Sequence, residues 1–332
     1  MSTIRTVLCD MLDIKYPIIQ AAMGPFCTNK LAVAVSNEGA LGTISITQMT
    51  SDPEVAGEKT RENINFVKQR TKNTFAVNTP VGKLIEQMAN RIMEVVIEER
   101  EKDPRLKRQL KVFITSAGDP TPYTKKLHDA GLLHFHVAPS VYHAKKTEKA
   151  GADAVIASGF EAGGHTHSKP VHTLVLVPEV AKSVKIPVIA AGGFCNAEGF
   201  VAALAAGAVG IQMGTRFIAT QECDFHPKYK EAIVKAGEWD TTIVPGVLGP
   251  ARVLRNKLIE EFEKRGASGI PEWELAKLKD LALVRAMEEG DIEHGALPAG
   301  MVAGSIHEIL TVKEVIEGIM QGAQRILERL GK

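Results

Sequence analysis

The 332-residue chain lacks most of the marks of specialised protein classes. Its formal net charge is +1 and no stripe of Lys or Arg stands out, so no nucleic-acid partner is expected. No run of about 20 apolar residues is present, so no membrane span is expected either. The opening stretch MSTIRTVLCD has no apolar signal-peptide core, which points to a cytoplasmic protein. The four cysteines, Cys9, Cys27, Cys195 and Cys223, form no C-x-x-C pair and suit free thiols in a reducing compartment. Cys27 and Cys195 stand beside expected loops, as small filler residues or, alternatively, as reactive thiols. Internal repeats and low-complexity tracts are absent.

What the chain has is a rhythm. Eight short apolar runs, each followed by a helix-like segment, occur at Tyr16–Gln20, Ala40–Ser45, Phe75–Asn78, Val112–Ser116, His134–Ala138, Asp153–Ser158, Pro187–Ala191 and Gly210–Met213. Near-continuous apolar runs suit parallel strands buried on both faces. Thr28 is placed to cap a helix through Ala32 and Val35, and Ser140 to cap SVYHAKKTEKAG up to Gly151. With 45% hydrophobic residues the chain can bury a large core. The seventh and eighth runs end in small residues, Gly192-Gly193 and Gly214-Thr215. Without a Cβ, backbone N–H groups there can approach a ligand closely. N–H groups at helix starts also bind phosphate, a frequent feature of the loops after strands seven and eight of a (β/α)₈ barrel. Eight repeats and paired phosphate loops favour an α/β TIM barrel over an open doubly wound sheet.

The rhythm stops after the eighth run. Residues 1–240 and 300–332 are expected to form the barrel, with 241–299 as a helical insertion between strand eight and the closing helix. Within the insertion, Arg252–Arg265 spaces Leu254, Leu258 and Phe262 as an amphipathic helix. Pro271 can open a second helix carrying Trp273, Leu278, Leu281 and Met287. The closing helix follows a Thr311-x-x-Glu314 capping box. The insertion is expected over the C-terminal face, as a lid on the site or as the element of a homodimer. The charged stretch Glu98–Lys111 mixes signs and is read as a solvated helix face.

After the sixth run comes SGFEAGGHTH, residues 158–167. Its diglycine leaves His165 to project over the barrel mouth, where an imidazole can serve as acid, base or hydrogen-bond donor near neutral pH. Glu161, four residues earlier, can orient a loop or accept a proton from a ligand hydroxyl. The His165-x-His167 spacing and His172 raise a metal reading. That reading needs further ligands at other strand ends, where carboxylates are scarce, and no metal is expected. His167 and His172 are read as inert.

Four motifs in register carry a family resemblance: PIIQAAM, GFEAGGH, PVIAAGGF and QMGTRFIAT, followed by ARVLRNK and GDIEHGALPAGMVAG. Along nearly its whole length the chain resembles the 2-nitropropane dioxygenase/nitronate monooxygenase family, which is itself similar to the flavin-dependent enoyl-acyl carrier protein reductase II. The resemblance implies a barrel with tightly bound, noncovalent FMN. Ala22 and Met23 would run along the flavin ring, and Asn78 would hydrogen-bond its edge unless it is only a turn residue before Pro80. Gln212 and Gly164 would face the ring or ribityl chain. Gly193, Gly214 and Thr215 would hold the phosphate, and Gly192 and Glu161 are counted with the cofactor-binding set. Arg216 would help the phosphate or pair with a carboxylate. The signals for subfamily are mixed. Val137 stands where the monooxygenase branch often has Lys, and Met301 where the enoyl reductases usually have Gln.

Two activities follow from the resemblance. In the leading one, alkyl nitronates are oxidised with O₂, and His165 binds the nitro oxygens or removes the α-proton. In the other, NAD(P)H is the electron donor and an enoyl thioester or a quinone is reduced, with His165 assisting the carbonyl. A flavin-binding protein without turnover is the third reading.

Overall fold

The computed structural model describes residues 4–45 and 52–331; the first three residues of the stretch read against a leader lie outside them. Among the described residues eleven strands are formed: β1 Ile18–Gln20, β2 Gly42–Ile44, β3 Phe75–Pro80, β4 Leu110–Ser116, β5 Leu133–Ala138, β6 Ala154–Ser158, β7 Gly164–His165, β8 Val188–Ala191, β9 Gly210–Met213, β10 Thr241–Val244 and β11 Ala251–Leu254. Eight of them make one parallel sheet in the order β1-β9-β8-β6-β5-β4-β3-β2. A parallel bridge between Ile19 and Leu41 joins the two ends. The Gln20 side chain reinforces that seam, its Nε2 donating to Thr43 O at 3.0 Å and its Oε1 accepting from Thr43 N at 3.1 Å. The result is a (β/α)₈ barrel, and each of the eight apolar runs contributes one of its strands.

The strands read as apolar because both faces are covered. Outside, they meet helices such as Asn29–Asn37, Glu86–Lys102, Thr173–Ser183 and the closing Val312–Leu330. Inside, Ile19, Ala76, Ile114, Phe135, Ile156 and Ile189 form the barrel core with Leu8, Cys9 and Leu12. Those last three come from a short helix, Val7–Leu12, not expected from the sequence. Leu12 O accepts from Thr74 Oγ1 at 2.8 Å, just before β3, so the helix plugs the N-terminal end of the barrel. The opposite end is left for a ligand.

Local signals held where the chain could satisfy them internally. Ser140 caps Val141–Lys149 and the Thr311/Glu314 box is complete. Thr28 sits at the helix N-cap, but its hydroxyl lies 3.3 Å from Ser45 Oγ and makes no cap bond. The charged stretch from Glu98 is not simply a solvated face. Glu99 and Arg100 are buried, because Glu99 pairs with Arg61 of the neighbouring helix and Arg100 donates to Ala130 O and Gly131 O.

The segment after β9 holds more than helices. β10 and β11 pair antiparallel, and β11 pairs in turn with β7. Arg252 therefore lies in a strand, and the first insertion helix spans Lys257–Ala267. The second spans Glu272–Met287 with Pro271 as its N-cap.

Candidate active site at the barrel mouth

A cavity of about 990 Å³ opens at the C-terminal ends of the barrel strands. Backbone geometry builds its floor. Gly192 and Gly193 both take positive φ, +89° and +85°, a region that L side chains avoid. A Cβ on Gly192 would stand 2.9 Å from Gly159 O. At Gly214 a Cβ would point toward Ala21 and Met23 Sδ, at 3.6 and 3.8 Å. Only hydrogen occupies these positions, so ligand atoms can reach the backbone amides. Thr215 starts the next helix. Its hydroxyl accepts from Gly300 N at 2.9 Å and keeps its own hydrogen for a ligand. Unpaired amides of this kind suit a phosphate without any cationic side chain.

Of the residues singled out from the sequence, Ala22, Met23, Asn78, Gly164, His165, Gly192, Gly193, Gln212, Gly214 and Thr215 all line this cavity. Glu161 does not. Its carboxylate accepts from Thr173 N at 3.0 Å and from Thr173 Oγ1 at 2.8 Å, and lies 3.4 Å from His172 Nδ1. It caps the helix Thr173–Ser183 and so orients the loop, and it lines a smaller neighbouring pocket with Gly192 and Gly193. Arg216 is turned away as well. Its Nη2 donates to Ala219 O and, at 2.8 Å, to Glu308 O, so this nitrogen serves backbone carbonyls, while the buried Nε has no hydrogen-bond partner among the described residues. Burial pushes the Cys195 thiol up to about 11, which fits the filler role.

Two regions converge on His165. From the barrel, Gly163 brings its loop against the segment at Gly300: a Cβ on Gly163 would fall 2.5 Å from Gly300 N. From the insertion, β11 pairs Ala251 with His165 and Arg252 with Gly164. The buried Arg252 guanidinium donates twice to Phe160 O, at 3.1 and 3.0 Å, and covers the Phe160 ring. The loop after β6 is thus clamped between barrel and hairpin. His165 is an exposed residue on the cavity wall, with the charged pair Lys279 and Asp280 near enough to act on it. Desolvation there, aided by the Lys279 charge, pulls its pKa down to about 4. At neutral pH the ring is an uncharged donor and acceptor.

The structure adds residues that sequence reading did not single out. His136 and His143 line the cavity from β5 and the helix after it, and Lys279 and Asp280 line it from the insertion. His167 is turned aside, its Nδ1 accepting from Lys169 N at 3.0 Å. His172 packs on Phe160. Among the described residues no group of three His, Cys, Asp or Glu side chains is arranged to hold a metal ion.

The description "nitronate monooxygenase" belongs to the family model that matches residues 5–322. The chain belongs to the nitronate monooxygenase family. It is 36% identical over 290 residues to a probable nitronate monooxygenase of Staphylococcus aureus (strain MSSA476), covering 77% of this chain and 80% of that protein. It is 31% identical, over 100% of this chain and 99% of the other, to the (3aS,4S,5R,7aS)-5-hydroxy-7a-methyl-1-oxo-octahydro-1H-indene-4-carboxyl-CoA dehydrogenase of Rhodococcus jostii (strain RHA1). Among solved structures, FabK from Thermotoga maritima superposes with a TM-score of 0.88 at 39% identity, covering 99% of both chains. Membership of the nitronate monooxygenase family makes the chain an oxidoreductase. No helix among the described residues is long and apolar enough to cross a membrane.

Proposed function

We propose that this family member is an FMN-dependent oxidoreductase that oxidises alkyl nitronates with O₂. The cavity floor supports FMN: Gly193, Gly214 and Thr215 offer amide and hydroxyl donors to a phosphate, and Ala22, Met23, Asn78, Gly164 and Gln212 offer small or amide-bearing surfaces to a flat ring. When bound, the flavin would take electrons from the substrate and hand them to oxygen.

The observation that carries the nitronate reading is the placement of His165 on the cavity wall, its backbone held by β11 and its ring free of side-chain partners among the described residues. A neutral imidazole donates from one nitrogen and accepts at the other. It can bind the oxygens of a nitronate, which arrives already deprotonated and needs no strong base. Abstracting an α-proton from a neutral nitroalkane would need a base titrating nearer the working pH. The loop clamp fixes where the ring points.

The likeness to FabK favours a second reading, in which NAD(P)H is the donor and an enoyl thioester or quinone is reduced. Purified protein should be yellow and release FMN, not FAD, on denaturation. Anaerobic stopped-flow mixing with NADH, NADPH and propane-2-nitronate then separates the readings. Fast bleaching by the nitronate alone is expected; fast bleaching by a pyridine nucleotide with none by nitronate overturns the lead in favour of the reductase. A colourless protein that cannot be reconstituted with FMN overturns both.

A further inference from the structure

The insertion helix Glu272–Met287 is turned against its own composition. Trp273 and Leu281 are 59% and 69% exposed, whereas Lys279 and Asp280 are 1% and 6% exposed. Burying an ion pair carries a desolvation cost of several kcal/mol per ion, while exposed Trp and Leu forfeit burial. A local preference overridden in this way is characteristic of functional sites. Here the overridden residues line the cavity together with His165.

The pair is incompletely satisfied. Lys279 Nζ pairs with the Asp280 carboxylate, and among the described residues no second carboxylate lies within ion-pair distance of it. An ammonium carries three donors, and one neighbouring carboxylate does not use them all. Asp280 Oδ1, for its part, has no hydrogen-bond donor in good alignment. Space has been kept for the ammonium, since a Cβ on Gly246 would approach Lys279 Nζ to 3.1 Å and Gly249 O to 2.5 Å. His165 feels both charges, Lys279 disfavouring its protonation and Asp280 favouring it.

We propose that Lys279 is the anion receptor of this cavity, its ammonium taking an oxygen of a small planar oxyanion held beside His165. Asp280 balances the ammonium when no ligand is present and competes with the anion for it when one enters. The identity of the natural oxyanion as a nitronate rests on the function proposed above; the capacity to bind such an anion does not. The bland alternative is that the pair only ties the helix to the loop at Gly246.

The two roles give opposite signs in one experiment. Nitrate is planar and anionic like the nitronate head and has no C–H bond to react. Its affinity for the flavin-loaded protein is measured by isothermal titration calorimetry for wild type, D280N and K279M/D280N. Removing the competing carboxylate in D280N should tighten nitrate severalfold. Removing both charges should weaken it by about tenfold or more, the worth of one hydrogen bond to a charged group. KM for propane-2-nitronate should follow the same order, with kcat moving less. Both charges are gone in the double variant, so no lone buried ion is left to unfold it. D280N leaves the ammonium without its carboxylate, so its fold is checked by circular dichroism and its titration is run on the folded, flavin-loaded fraction; tightening there carries the test even if the double variant fails to fold, because a structural tie predicts weakening. Weakening in D280N, equal affinities in all three proteins, or no nitrate binding by wild type overturns the proposal. Nitronate turnover with unmoved KM in both variants removes Lys279 and leaves the function standing. Nitrate binding that depends on Lys279, without nitronate turnover, does the reverse.

Discussion

His136, on β5, and His165, on β7, both line the cavity, and both imidazoles are pulled down to about 4, the buried His136 by desolvation and the exposed His165 by desolvation together with the Lys279 charge, yet they are held in opposite ways. His136 belongs to a sealed chain. Its Nδ1 lies 2.7 Å from Thr115 Oγ1, which lies 2.7 Å from His134 Nε2, and His134 Nδ1 lies 2.9 Å from Thr124 Oγ1. One hydroxyl has a single hydrogen to give, so at least one of the two rings must present an N–H to it, and the two tautomers are linked. His165 has no side-chain hydrogen bond among the described residues; only its backbone is held, by β11. The comparison teaches that a depressed pKa marks desolvation, whereas a ring with unspent nitrogens over a cavity marks a place where chemistry can be done.

The largest expected effect is the sharpest break in that comparison. His165→Asn keeps a hydrogen-bonding group but changes its reach and removes the imidazole. Turnover should fall ~10²–10⁴-fold, the usual worth of a positioned acid, base or polar catalytic group, while bound flavin, read from its visible absorbance, stays at the wild-type ratio. His136→Asn should instead lower stability, with turnover per folded, flavin-loaded molecule falling far less. Equal losses of turnover in the two variants would erase the distinction drawn here.

The second effect concerns acid. His134 and His136 have folded pKa values lowered to about 3 and about 4 from 6.5. As pH falls below 6.5 the unfolded chain takes up protons that the native state refuses. Their contribution is therefore fully present above pH 6.5 and is lost as pH falls toward 4. The slope approaches about 1.4 kcal/mol per pH unit for each histidine. Urea unfolding at pH 6.5, 5.75 and 5.0, above the range where most carboxylates titrate, should show stability falling, and His136→Gln should reduce the slope without abolishing it, because His134 and His165 are lowered as well. A flat profile for wild type would mean that the chain Thr124–His134–Thr115–His136 is open to water.

Most of the barrel was legible because parallel strands covered on both faces must be apolar throughout, as AVIAS at β6 and VIAA at β8 are. The floor of the site was legible for a related reason: close backbone approach demands glycine, and glycine is visible in a sequence. The hairpin β10/β11 was not. TTIV and ARVL are four residues each, and what makes them strands is pairing with each other and with β7, a partner about 80 residues away in the chain. The turn signals Pro245-Gly246 and Gly249-Pro250 were present and would have supported it. The Glu272–Met287 helix was legible, but its buried Lys279 and Asp280 were not, because apolar periodicity draws attention to Trp273 and Leu281, which the fold leaves exposed. The bond from Thr173 to the Glu161 carboxylate was not legible, because nothing in the sequence pairs two residues of different elements.

The smallest expected effect tests the register of the histidine motif itself. His167 lies two residues beyond His165 and is also on the cavity wall, but its Nδ1 is already spent on Lys169 N, and its ring stacks edgewise on His143 at 5.3 Å. In His167→Asn the Oδ1 can take over the bond to Lys169 N, since an Asn oxygen accepting from the amide two residues on is a common turn element. The loop should keep its shape, the clamp at Gly164 and Arg252 is not touched, and turnover should stay within about threefold, the range of a surface change that disturbs no buried partner. Steady-state rates with propane-2-nitronate, compared directly with those of His165→Asn, decide the matter. If His167→Asn loses turnover more than tenfold while His165→Asn does not, the working imidazole is the one whose Nδ1 is already hydrogen-bonded, and the contrast between spent and unspent nitrogens fails at the position where it was meant to count.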